Sequence, residues 1–278
     1  RVRGLISFGW KLLLSSLLET GYNNLRSLVI GKRFRSEQLG YFNRGKQFPE
    51  LLMNAVNGSI QSVMLPVLAE SQEDIPRMKQ MMRRSVMVSS FLVMPIMAGL
   101  AAVATPLITD KWLPCVPFLQ ICCIDFAFYP IHTANLQAIN AMGRSDVFLR
   151  LECIKKSYGI LILCVTVFCF DSVLAIAWGA VVSTLISAFV NASPNRKLLG
   201  YGYLEQMRDV LPPILLSLVM FGAVYAMNGL RLPALALLLL QILTGIALYA
   251  GLALLLRLES LRYLQDTLLA LLRKHRKG

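Results

Sequence analysis

The sequence predicts an all-α, polytopic membrane protein of about eight transmembrane helices, and three observations predict it. Hydrophobic residues fill 56% of 278 positions against 15% charged, with a mean hydropathy of +0.60, far from the balance of a soluble domain. Several uncharged runs reach the roughly 20 residues that cross a hydrocarbon core. The connections between those runs alternate between rich and poor in Lys and Arg, as membrane topology requires.

The first span, Leu5–Ile30, is apolar except on one side. There Lys11, Ser15, Glu19, Tyr22, Asn23 and Arg26 share an arc of about 120°. A charge in lipid costs about 3 kcal/mol or more, so this face is expected to line a polar path. The second span runs from near Glu37 to Ser71 with a carboxamide-rich stripe: Asn43, Gln47, Glu50, Asn54, Asn57 and Gln61 lie within about 40° of one line, with Lys46 close by. Such a stripe needs water or a polar partner opposite it. The charged stretch Glu70–Arg84 reads as a short amphipathic surface helix.

Ser85–Thr109 is the uncharged third span, and Trp112–Gly143, broken only by Asp125, is the fourth. Pro130 makes that helix a candidate hinge. Asp125, Tyr129 and His132 follow one another at helical spacing, and either a hydrogen-bonded structural trio or a proton-sensitive cluster fits them. Leu151–Phe170, Ser172–Asn195, Val210–Leu230 and Leu232–Leu256 complete the eight. Lys155 and Lys156, near the start of the fifth span, either add to the cationic face or snorkel. The tail Leu258–Gly278 mixes leucines with Arg262, Arg273, Lys274, Arg276 and Lys277, as an interfacial helix on anionic lipid does.

The net charge of +13 concentrates in alternate connections, which places both termini in the cytoplasm and argues against nucleic-acid binding. Six cysteines lack metal-ligand spacing and read as buried apolar residues. No phosphate loop, HExxH or nucleophile elbow is present, so neither an enzyme, a metal nor a cofactor is expected. No signal peptide is evident. Arg1 stands where an initiator Met would be, as in a fragment or processed chain.

In the first two spans bases outnumber acids: Lys11, Arg26, Arg44 and Lys46 against Glu19 and Glu50. Neither base in the first span stands three or four residues from Glu19, so no internal pair neutralises it within that helix. An anionic guest follows, its phosphate held by Arg and Lys and its sugar hydroxyls by the stripe. The expected binding residues are Lys11, Glu19, Tyr22, Asn23, Arg26, Arg44, Lys46, Gln47, Glu50 and Asn54. Glu19, Asp125 and His132 are the candidates for ion coupling.

Blocks along the whole chain carry a family resemblance: FGWKLLLSSLLETGYNNLRSLVIGK at 8–32, LGYFNRGKQFPELL at 39–52, VMLPVLAESQED at 63–74, KWLPCVPFLQI at 111–121, YPIHTANLQAINAMGRSD at 129–146 and PNRKLLGYGYLEQ at 194–206. They resemble the polysaccharide exporter or oligosaccharide flippase family, in the branch that handles lipopolysaccharide, colanic acid or teichuronic acid units. That family belongs to the multidrug/oligosaccharidyl-lipid/polysaccharide superfamily, whose members form two inverted-V lobes around a central cavity.

The resemblance implies export of a polyprenyl-pyrophosphate-linked oligosaccharide across the cytoplasmic, or inner, membrane by alternating access, driven by an ion gradient. The implied partners are that substrate, membrane lipid, and the glycosyltransferases and polymerase of the same pathway. The chain aligns with the second lobe (1–200) plus two further helices (201–257) and the basic tail (258–278), without the first lobe. The family's charged cavity lining carries over to Lys11, Glu19, Arg26, Arg44 and Lys46. Other readings are a multidrug or toxin extruder, whose cavity favours acids, a membrane glycosyltransferase or polymerase, which needs longer loops, and a structural scaffold.

Overall fold

The computed structural model describes residues 2–71 and 74–265, with side chains at 2–8, 23, 59–60, 63, 65–67 and 69 left aside. Helices α1 (Val2–Arg33), α2 (Ser36–Glu70) and α3 (Ile75–Ala102) are followed by a single turn, α4 (Ala104–Leu107), and a 3₁₀ segment at Asp110–Cys115. Then come α5 (Val116–Ala127), α6 (Tyr129–Ala141), α7 (Ser145–Cys169), α8 (Val173–Leu198), α9 (Tyr203–Ala226) and α10 (Ala234–Leu255). After α10 the chain reverses at Arg257, whose φ is 52°. Residues 259–265 are again helical, and the rest of the predicted tail lies outside the described residues.

Five segments are long and apolar enough to cross a membrane: Ile75–Ala102, Asp110–Ala141, Val173–Leu198, Tyr203–Gly229 and Ala234–Leu255. The other three expected spans, α1, α2 and α7, are 32, 35 and 25 residues long. Their length suffices, but their charged residues set them apart. All three contribute charge to one interior space, described below.

Two expectations change at the helix ends. Glu70–Arg84 forms no separate surface helix, because α2 continues to Glu70 and α3 starts at Ile75. Asp74 caps α3 by accepting the Arg77 N–H at 3.0 Å, and Pro76 sits in the first turn, where a missing N–H costs nothing. In the fourth span the helix breaks at Phe128, and Pro130 falls in the first turn of α6. The proline therefore starts a helix instead of bending one.

Packing rests on methionines and small residues. Met64 and Leu68 of α2, Met78, Met82 and Met94 of α3, Ala134 and Ala138 of α6 and Val210 of α9 form one buried cluster. A second joins Met53 to Val93, Met97, Leu119 and Phe126. A third holds Ile30 and Phe42 against Phe118, Leu163 and Ile176. Lipid is as apolar as leucine, so close fit and dispersion, more than water exclusion, hold such helices together. Gly45 shows how close: a Cβ there would lie 2.7 Å from Phe118 Cβ and 2.8 Å from the Leu119 backbone nitrogen. Of the cysteines expected to be buried, Cys115, Cys122 and Cys123 are, while Cys153, Cys164 and Cys169 are exposed on α7. They share that outer surface with exposed Leu161, Val165 and Phe168.

Helix α9 lies along α3 and is pinned at its start. Asn135 of α6, Asn195 of α8 and Gln206 of α9, all fully buried, bond one another: Asn135 Nδ2 donates to Gln206 Oε1 at 2.7 Å, Asn195 Nδ2 to Asn135 Oδ1 at 2.7 Å and Gln206 Nε2 to the same oxygen at 3.0 Å. On the surface beside them Arg83 makes two 2.8 Å bonds to Asp209, and Lys79 pairs with Glu205 at 3.1 Å. The buried Tyr201 hydroxyl donates to Asp209 at 2.8 Å, and burial followed by that bond holds its phenol above the usual range.

Candidate functional site

Helices α1, α2, α5, α6, α7 and α8 surround a cavity of about 640 Å³. Among the described residues its charged lining is balanced: Arg26, Lys46, Lys155 and Lys156 face Glu19, Glu50, Asp125 and Glu152. The base surplus counted on the first two spans disappears because Lys11 and Arg44 stand outside the wall, while Asp125 and Glu152 offset Lys155 and Lys156. Two groupings emerge.

The first spans the α1–α7 seam. Lys156 pairs with Glu19 across the seam and lies 3.7 Å from Glu152, which Lys155 also holds. The Lys156 ammonium stands 4.9 Å from the centre of the Tyr22 ring, and Arg26 lies 5.3 Å from the same ring and donates to its hydroxyl at 3.2 Å. Tyr22 thus carries a cation on either hand. Gly159 of α7 makes room for it, because a Cβ there would come within 2.8 Å of the tyrosine oxygen.

In the second grouping Lys46 pairs with Glu50 at 3.3 Å, one turn along α2. Beside the main cavity a pocket of about 20 Å³ brings Arg26, Lys46 and Asp125 together. That volume holds a single water-sized occupant.

Spacing within helices could not reveal the Lys156–Glu19 pair, since the partners stand on different helices. A further part of the wall went unread for another reason. Ser172–Asn195 looked like plain apolar span, yet Ser183, Ser187, Asn191 and Asn195 recur every four residues and keep to one side of α8. Thr184 donates to Asp125, Ser187 bonds the Tyr158 hydroxyl at 2.6 Å, and Asn191 Nδ2 meets His132 Nδ1 at 3.1 Å. The expected Asp125–Tyr129–His132 trio is accordingly split. Asp125 and His132 both turn to α8, and Tyr129 meets His132 edge-on at 6.3 Å between ring centres.

The structure sorts the other expected site residues. Glu19, Tyr22, Arg26, Lys46 and Glu50 line the cavity, together with Asn57 and Gln61 from the lower part of the α2 stripe. Thr133 donates to Asn57 at 2.7 Å and fixes that part against α6. Lys11, Arg44, Gln47 and Asn54 are placed outside the lining. Lys11 contributes its carbonyl to a 2.8 Å bond from Ser15. Arg44 donates to Gln47 at 2.7 Å and lies against Phe48 and Trp112, so its charge is engaged near the α2 start. Gln47 and Asn54 are exposed, because they sit on the flank of the stripe turned away from α6. The Asn23 side chain lies outside the described residues.

Comparison with known proteins sets this geometry in context. A family model described as "Polysaccharide biosynthesis protein" matches residues 1–117. The chain is 24% identical over 228 residues to the teichuronic acid biosynthesis protein TuaB of Bacillus subtilis (strain 168), covering 79% of this chain and 46% of that protein. It is 23% identical over 201 residues to a membrane protein of the cps region of Klebsiella pneumoniae, covering 71% and 39%. Its fold is similar to that of the lipid II flippase MurJ in an inward closed conformation, with a TM-score of 0.73 at 16% identity over 88% of this chain and 52% of that one. The chain therefore spans about half the length of the relatives it matches.

Proposed function

We propose, from matches that support a polysaccharide exporter/flippase family, that this chain forms one lobe of a transporter that flips a polyprenyl-pyrophosphate-linked oligosaccharide across the cytoplasmic membrane by alternating access. The observation that carries the proposal is the cavity: charged and carboxamide groups from six helices line about 640 Å³ within an otherwise apolar bundle. Groups so expensive to keep in a membrane are retained where a polar cargo passes. Arg26 and Lys46 sit where a pyrophosphate can be gripped, and Asn57, Gln61, Ser187 and Asn191 offer bonds to sugar hydroxyls. The acyl chain stays in lipid outside the bundle. Both termini lie on the cytoplasmic side in this proposal, supported by Arg77, Arg84, Arg144, Arg150, Arg196, Lys197 and Arg208 near one end of the helices against Lys32, Arg33, Lys111 and Arg231 near the other.

Translocation of a fluorescent polyprenyl-pyrophosphate saccharide into proteoliposomes by the full-length transporter tests this. Arg26→Ala and Lys46→Ala are each expected to slow it about tenfold or more, the loss of a charge-assisted bond. Unchanged rates in both would sink the proposal. One observation favours a second reading, extrusion of organic cations: four carboxylates line the same cavity. Accumulation of a cationic dye in pump-deficient cells, lowered by expression of the transporter and restored by Glu50→Gln, would support that reading instead.

A further inference from the structure

Neutral amides take one stretch of the cavity wall. Asn57 and Gln61 of α2 follow Glu50 by about two and three turns, and Gln137 and Asn140 lie late in α6, well past Asp125 in the same span. Asn191 of α8 stands beside His132 of α6, its Nδ2 3.1 Å from the ring Nδ1, and Thr133 joins α6 to Asn57 at 2.7 Å. The amide-bearing parts of α2, α6 and α8 therefore meet at one end of the cavity. Neither α6 nor α8 adds a Lys, Arg, Asp or Glu to the described lining. Three of the amides are only half matched: Oε1 of Gln137 and Oδ1 of Asn140 and of Asn191 are buried and accept no hydrogen bond from the described residues. Asn191 as a whole is fully buried. Folded chains keep few such groups, because each forfeits the bonds it had in water. Leu136, one turn before Asn140 on the same side of α6, and Phe148, in the first turn of α7, bring apolar surface to the same end.

We propose that this end of the cavity selects an acetamido-bearing sugar in the cargo's glycan over a sugar that carries only hydroxyls. The inference rests on the cavity's holding a lipid-linked glycan and adds which sugars it admits. An acetamido group sets an N–H donor, a C=O acceptor and a methyl group in one rigid plane. Donor and acceptor answer carboxamides, whose own two ends are an acceptor and a donor, and the methyl group answers Leu136 and Phe148. A hydroxyl fills the polar half of that demand and leaves the apolar half without a contact. A carboxylate or phosphate finds no counter-ion on α6 or α8, since the described cations of the wall, Arg26, Lys46, Lys155 and Lys156, come from α1, α2 and α7. Charge and amide are thus divided within one cavity, the pyrophosphate going to the first and the N-acetylated sugar to the second. A site built on buried polar groups discriminates well, because a ligand that lacks the matching atom leaves them dry.

The test is binding of three probes to the full-length transporter in lipid nanodiscs: a polyprenyl pyrophosphate that is bare, one that carries three linked N-acetylglucosamines, and one that carries three glucoses in the same linkage. The native protein is expected to bind the acetamido probe about tenfold tighter or more than the glucose probe. Gln137→Met and Asn140→Leu should each cut that preference severalfold and together abolish it, while the bare pyrophosphate keeps its native affinity. Lys46→Ala, on the charged part of the wall, should weaken all three probes alike and leave the preference intact. Thermal unfolding of each variant establishes that it is folded, and the comparison of probes on the native protein stands whatever the variants do. Equal affinity for the two glycans overturns the inference alone. So does a preference that survives in the folded double variant, the result expected of amides that only hold water. A native protein that binds none of the probes refutes the glycan cavity and, with it, the inference.

Discussion

Two ion clusters tie helices together in this protein, one at the seam between α1 and α7 and one on the end face between α3 and α9. Both use lysine or arginine against paired carboxylates. At the end face Arg83, 46% exposed, holds Asp209 with two bonds and reaches Glu259 at 3.6 Å. In the seam Lys155, Lys156 and Glu152 are 11%, 12% and 4% exposed. Water at the end face hydrates Arg83 when the pair opens, and Asp209, though only 9% exposed, keeps its bond from the Tyr201 hydroxyl, so the pair itself contributes little. Inside the bundle the loss of one partner strands the other in a medium that cannot solvate it. Identical chemistry thus acts as a light fastener in one place and as an obligatory one in the other.

The largest expected effect breaks the inner cluster. Glu152→Ala strands Lys155 and leaves Lys156 with a single carboxylate, and should cost about 3–5 kcal/mol, read as unfolding free energy in detergent. A loss under about 1 kcal/mol would mean that the seam is wetter than its burial indicates. An intermediate effect sharpens the geometry of the same seam: Gly159→Ala drives a methyl group against the Tyr22 ring and should cost about 1–3 kcal/mol. Adding Tyr22→Ala should remove most of that penalty, and a double variant no better than the sum of its parts would place the clash elsewhere. The smallest belongs to the end face. Arg83→Ala should cost about 1 kcal/mol, less again in about 1 M salt, where charges are screened over some 3 Å. A cost as large as that of Glu152→Ala would erase the distinction between the clusters.

This difference also explains how much was legible in the sequence. Long apolar runs marked α3, α8, α9 and α10, because hydropathy is local and additive along the chain. The polar face of α1 was readable from helical period, and Glu19, Tyr22 and Arg26 do stand on the cavity wall. The α2 stripe was only half placed. Period alone cannot say which flank of a helix meets its neighbour, and the wall took Asn57 and Gln61 in preference to Gln47 and Asn54. Charge balance was misjudged because helical period cannot show that Lys11 and Arg44 fall outside the wall, and the pairing of Glu152 with Lys155 and Lys156 matters only once α7 has docked on α1. The α8 ladder obeys the same four-residue arithmetic, but hydroxyls and carboxamides barely lower the hydropathy of a span and carry no charge to mark it.

The knot of Asn135, Asn195 and Gln206 bears on how such a bundle moves. Three interlocked, fully buried side chains cannot slide past one another by a fraction of a bond, since each slipped contact would leave an amide dry and unmatched. In the proposed transport cycle any tilt of α6 and α8 therefore tows the final pair of long helices as a trailer on a rigid hitch, and probes fixed to α6 and α9 should keep their separation if the cavity opens and shuts.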